Sequence, residues 1–171
     1  SLSLSGIISS DIGQVALTGS AAVASKNVGT YSSWTTDNLS LSGSASSNYT
    51  LTGGTVLVTI SPATVTLGGI SKTYDGSTST GNTSMTISGV GSETLGFTAA
   101  TYSDANVATA NKYLTALTLA DNGSYLASNY QLPTLNLANA AATINQATVT
   151  ISGISKTYDG GTTKGNTSMT I

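Results

Sequence analysis

Apolar and polar residues alternate along this chain with a period of two. Leu2 and Leu4 stand between serines, Val15 and Leu17 flank Ala16, and Leu39 and Leu41 flank Ser40. Such alternation sends successive side chains to opposite faces of an extended strand. Clusters of Gly, Asn, Asp and Ser break the runs at strand-length spacing, and no stretch keeps a period of 3.6, so the expected fold is all-β with almost no helix. From residue 63 onward the expected strands are 64–67, 84–88, 96–102, 113–120, 129–132 and 135–144. Asn122-Gly123, between Leu119 and Tyr125, signals a hairpin turn in a loop longer than two residues. The run 55–60 passes through Ser61-Pro62 into 64–67, so the last strand of one unit feeds the first of the next through a linker too short to bend freely.

The chain also spells one stretch twice. Residues 63–87 read ATVTLGGISKTYDGSTSTGNTSMTI and residues 147–171 read ATVTISGISKTYDGGTTKGNTSMTI, with five substitutions at an offset of 84. A fixed period of this size marks a tandem repeat. The Ser-Asn-Tyr of 47–49 returns at 128–130, an offset of 81. Residues 1–62 are thus the later part of a repeat, 63–146 a complete repeat, and 147–171 the opening part of a further one. Joined tail to head, the first and last pieces make one repeat of 87 residues beside the complete one of 84. The sequence therefore reads as two repeats cut at an arbitrary point of a longer protein, the last piece being completed by residues 1–62 of an adjacent copy.

Each copy turns on the same corner, Lys72, Tyr74, Asp75 and Gly76 in one and Lys156, Tyr158, Asp159 and Gly160 in the other. Asp-Gly suits a turn because the carboxylate bonds nearby backbone and Gly takes positive φ without strain. With the Ala-Thr-Val-Thr strand, the Lys-Asn-Val-Gly of 26–29 and the Ser-Asn-Tyr-x-Leu of 47–51, this corner resembles the YDG and mostly-beta, glycine-rich (MBG) repeats. Those repeats stand in tandem in large secreted bacterial adhesins of the filamentous-haemagglutinin type. The resemblance covers almost the whole chain and implies no enzymatic activity. Two departures are visible: Asn106-Val107-Ala108 replaces Asn-Val-Gly, and the linker Asn145-Gln146 stands where the other copy has Ser61-Pro62.

Composition narrows the chemistry. Ser and Thr make about a third of the chain and charged residues only 7%. A disordered linker would be poorer in apolar and β-branched residues, whereas a chain this sparsely charged tends to self-associate. With five Lys, no Arg and a net charge of −2, no basic patch exists to bind nucleic acid. No apolar run approaches a membrane span, and the stretch from Ser1 onward is not expected to be a signal peptide. His and Cys are absent, which removes the usual zinc and thiol sites, and the seven acids are scattered among turns, so no catalytic residue, metal ligand or cofactor is assigned.

Several sites have a functional and a structural reading. Asp104 with Asn106, and Asp37 with Asn38, offer hard oxygen ligands to calcium, but each also suits a turn residue bonding its own backbone, which is the preferred reading. Tyr74-Asp75 and Tyr158-Asp159 could present a ring and a carboxylate to a sugar. The preferred reading buries the ring as a tyrosine corner locking an immunoglobulin-like sandwich. Lys72 and Lys156 are read as solvated lysines beside an aspartate, rather than as partners of an amide cross-link. The hydroxyls suit strand faces that need polarity without charge, rather than an ice-binding ladder, and sequons such as Asn82-Thr83-Ser84 matter only in a cell that glycosylates them. The expected architecture is a row of tandem antiparallel immunoglobulin-like β-sandwiches stacked end to end. The expected role is a structural repeat of an extracellular filament or adhesin stalk that joins copies of itself head to tail. A module binding surface polysaccharide is the alternative.

Overall fold

The structure, a computed structural model, describes residues 3–53, 57–153 and 155–163, with the backbone alone for 34–37. In the first copy the strands are β1 (Ala16–Thr18), β2 (Ala21–Val23), β3 (Gly29–Tyr31), β4 (Trp34–Asp37), β5 (Ser40–Ser42) and β6 (Val58–Ile60). The second has β7 (Ala63–Thr64), β8 (Thr66–Thr73), β9 (Ser84–Ser88), β10 (Gly96–Tyr102), β11 (Leu114–Ala120), β12 (Tyr130–Gln131), the single α-helical turn α1 (Leu137–Ala140) and β13 (Ala142–Asn145). The chain is thus mostly β, as the alternation of its side chains requires.

The two copies share a hairpin. In the second copy β10 and β11 pair antiparallel from Gly96↔Ala120 to Tyr102↔Leu114. In the first the same ladder is split into β1 with β5 and β2 with β4, on either side of Gly19-Ser20. Gly19 holds φ +94°, and a Cβ there would collide with the carbonyl of Asn38, so the break needs glycine. Expected strands 84–88 and 96–102 are found as read, and 113–120 begins one residue later. Asn122 and Tyr125 exchange both backbone hydrogen bonds around Gly123, whose φ is +61°, so Asn-Gly makes a tight turn just after β11, as an isolated bridge and not as the link between two paired strands.

Two expectations are corrected. The run 135–144 is not one strand, because Asn136 accepts the N–H groups of Ala138 and Asn139 and caps α1 before β13 begins. Nor is the sheet wholly antiparallel. β12 pairs parallel with β7 at Tyr130↔Ala63, and β13 pairs parallel with β8 from Ala142↔Ile70 to Asn145↔Thr73. The reason is that 130–145 runs beside 63–73 in the same direction, and α1 takes up the residues by which the later arm is longer. β9 closes the other flank of β8, making a mixed sheet in the order β13-β8-β9.

The core belongs to the second copy. Val65, Ile70, Ile87, Leu95, Ala100, Tyr102, Leu114, Leu117, Tyr130, Ala140 and Ile144 form one buried cluster. Among the described residues of the first copy only Val15 and Ala45 are buried apolar residues. Residues 147–163, which nearly duplicate 63–79, form no strand among those described. Val65 is 3% exposed and its counterpart Val149 is 69% exposed. The same sequence is core in one place and surface in the other, according to whether strands lie beside it.

Candidate functional site

β8 delivers Lys72 to the interior at the end of an alternating strand, and Asp75-Gly76 then turns the chain, Gly76 holding φ +77°. The Lys72 side chain is wholly buried. Its Nζ lies 2.8 Å from Asp75 Oδ1 and donates to the carbonyls of Ser77 at 3.1 Å and Ser79 at 2.8 Å. The ammonium also lies 5.5 Å from the centroid of the Tyr102 ring, and the Tyr102 hydroxyl donates to Thr83 Oγ1. The solvated lysine of the sequence reading is therefore corrected: the loop 75–79 folds over the ammonium and satisfies its donors in place of water. Asp75 further accepts the Ser77 N–H at 3.0 Å. The Lys72 bond, followed by the Ser77 N–H, holds the Asp75 carboxyl down to about 2.

Tyr74 points the other way. It is 42% exposed and Tyr158 is 94% exposed, so neither ring is the buried lock expected of it. With Lys72 facing inward, its neighbour two positions on has passed the end of β8 and lies outside the pleat. Lys156 repeats the local pairing with Asp159, which accepts the Gly161 N–H, but its turn is open to solvent.

The tyrosine corner lies elsewhere, and it is built twice. The Tyr130 hydroxyl accepts the Val90 N–H at 3.1 Å and donates to Glu93 Oε2, and that bond to Glu93 raises the phenol above its ordinary value. In the first copy the Tyr49 hydroxyl accepts the Ile8 N–H at 3.1 Å and donates to Asp11 Oδ2 at 2.9 Å. Both tyrosines follow a 3₁₀ turn, Ser46–Asn48 and Ala127–Asn129. The repeated Ser-Asn-Tyr was the available signal, since a tyrosine fixed after the same turn in two copies has the same work to do in both.

The asparagine of that motif joins the copies. Asn129 Oδ1 accepts the Val28 N–H at 2.8 Å, and Asn129 Nδ2 donates to Asn27 Oδ1 at 2.9 Å. Tyr31 holds the far side of this loop by donating to the Asn27 carbonyl at 2.7 Å. Lys26 reaches Glu93 at 3.9 Å, an exposed pair that adds little. Ser61-Pro62 carries the chain directly from β6 to β7, while Asn145 closes the β13-β8 ladder and accepts the Tyr74 N–H at 2.8 Å. Gln146 follows at the end of β13.

Sequence reasoning passed over Lys112. It is buried and donates to the carbonyls of Val107 and Thr109, plugging the loop after β10 as Lys72 plugs the loop after β8. Asp104 accepts the Asn106 N–H at 2.6 Å, and this bond first of all lowers its carboxyl. In the first copy Ser25 Oγ accepts the Asn27 N–H in the same way. The Asp104 pair is thus a turn, the reading preferred over calcium, while the Asp37 side chain lies outside the described ones. Among the described residues no three of His, Cys, Asp and Glu gather in a group able to hold a metal ion, and no helix is long and apolar enough to cross a membrane. The family model described as YDG domain matches residues 1–56 and 59–137, most of the chain. No curated protein and no solved structure gives a significant match.

Proposed function

The chain belongs to the YDG domain family, and from that premise we propose that it is a structural repeat of an extracellular filament or adhesin stalk, of the filamentous-haemagglutinin type. Its units are sandwich-type repeats of immunoglobulin-like size, set end to end and joining copies head to tail. It performs no catalysis. The observation that carries this reading is the Asn129 clamp, which ties a loop of one repeat to the tyrosine-corner turn of the next while β6 passes through two residues into β7. Such joints fix neighbouring repeats against each other and let a row of them grow in one dimension. Small-angle scattering on arrays of two, three and four repeats tests it. The longest dimension is expected to rise by a constant step at constant cross-section, and growth in all directions overturns the reading.

A second reading, a module for surface polysaccharide, is favoured by one observation, the exposure of Tyr74 beside the Asp75 carboxylate. A ring face next to an acceptor is what a sugar stacks on and bonds to. Glycan binding that Tyr74→Ala abolishes, with the fold kept, would support it.

A further inference from the structure

Of the asparagines in this chain only Asn122 is followed by glycine. The pair sits in the turn just beyond the end of β11, and Asn122, Gly123 and Ser124 are all exposed. Two main-chain bonds hold the turn, Asn122 N–H to the Tyr125 carbonyl at 3.0 Å and Tyr125 N–H to the Asn122 carbonyl at 3.1 Å, and the Gly123 N–H takes part in neither. Opening the turn breaks these bonds and disturbs no ladder between strands, a local event that costs far less than unfolding. A Cβ on Gly123 would meet no atom within 4 Å beyond its own chain neighbours, so the Gly123 peptide is not crowded. The turn also ties two other segments together. Asn122 Nδ2 donates to Thr94 Oγ1 at 3.1 Å, in the link between β9 and β10 that carries Glu93, the acceptor of the Tyr130 hydroxyl. Asp121 Oδ1 accepts the N–H of Ala127 at 2.7 Å, and Ala127 opens the 3₁₀ turn that presents Asn129 and Tyr130.

We propose that Asn122-Gly123 is a self-modification site, at which the folded chain converts Asn122 to aspartate and isoaspartate with water as the only co-reactant. The Gly123 nitrogen attacks Asn122 Cγ, and a new C–N bond closes a cyclic imide as the Cγ–Nδ2 bond breaks. The amino group departs as ammonia, taking the proton that the Gly123 nitrogen gives up. Water then opens the ring. Addition at Cγ gives aspartate, and addition at the main-chain carbonyl carbon gives isoaspartate, whose extra main-chain carbon lengthens the turn. Either product replaces the donor that Thr94 accepts by a carboxylate, which only accepts, and sets a further negative charge beside Asp121. The conversion thus opens the turn that lies between the tyrosine corner and the Asn129 clamp. Asp75-Gly76 does not share this fate, because its carboxylate is ionised against Lys72 and bonded by the Ser77 N–H, and an anion resists attack by nitrogen. The chemistry is independent of the filament reading.

The test keeps the whole chain folded in mildly alkaline buffer and samples it over days. Peptide mapping by mass spectrometry locates the mass gain that exchange of an amide for a carboxyl brings, and an isoaspartate-specific methyltransferase labels the isomerised product. Conversion at Asn122 is expected severalfold ahead of every other asparagine, with isoaspartate among the products and a rate that rises with pH, since the attacking nitrogen must shed its proton. Asn122→Gln, which keeps the carboxamide but must close a larger ring, is expected to lose it. Hydrogen exchange at Tyr125 and Ala127 is expected to quicken severalfold in the converted fraction and less in Asn122→Asp, which adds the charge without lengthening the main chain. Equal rates at all asparagines, or conversion only once denaturant is present, overturns the proposal. Conversion that leaves exchange at Tyr125 and Ala127 unchanged overturns the claim that it opens the turn.

Discussion

The three N–H groups of Lys72 end on the Asp75 carboxylate and on the carbonyls of Ser77 and Ser79, which makes the loop 75–79 depend on one side chain. Asp75 is held to about 2 in the folded chain against an ordinary 3.8, so the native state binds its proton less readily than the unfolded state does. Stability from this carboxylate is therefore complete above the ordinary value and is lost as pH falls from there through about 2. Asp75→Asn is expected to be less stable at neutral pH, with a flatter fall in stability on acidification than the parent shows. Denaturant melts at a series of pH values check this, and an unchanged slope would remove the linkage. Burial of Lys72 was not legible in the sequence, because a lysine followed by Asp-Gly reads equally well as a solvated turn residue. Only the second strand layer, with Tyr102 over the ammonium, decides between them.

At the level of elements, the exit of β9 meets the ring of Tyr130. A Cβ on Gly89 would stand 2.6 Å from the ring, closer than atoms can approach, so the hydroxyl reaches Val90 and Glu93 only because this residue is glycine. Gly89→Ala is expected to cost about 1–3 kcal/mol by forcing the ring off its bonds. In a Tyr130→Ala background the same change should cost far less, and thermal melts of the four proteins measure that coupling. Equal costs in both backgrounds would mean the ring is not what excludes a side chain there. β9 and β10 were legible because one face is apolar and alternation reports that directly. The parallel course of β12 and β13 was not, since alternation fixes the face of a strand and says nothing about its direction or neighbour. α1 was hidden for a related reason: Leu-Ala-Asn-Ala is short enough to fit either state, and the Asn136 cap decides it.

For the whole molecule, the repeat plan was written in the sequence by the 84-residue offset, yet the unequal condition of the copies was not, because it depends on which strands lie beside each one. The second copy owns the core, and the first, with few buried residues of its own, is held partly by what it leans on. In a row of repeats each contacts only its neighbours, so stability passes from one to the next through the joint. Asn129 is where that transfer can be cut with least damage. Its side chain is only partly buried, and its bonds to Val28 and Asn27 cross between copies, while the tyrosine corner beside it is held by Tyr130 alone. Asn129→Ala is expected to leave the β10–β11 amides as slow to exchange as before and to speed exchange in β3 and β6 severalfold, which hydrogen exchange resolves strand by strand. Uniform loss of protection in both copies would show that Asn129 supports the core of its own repeat. Unchanged protection in β3 and β6 would place the joint in the Ser61-Pro62 connection instead.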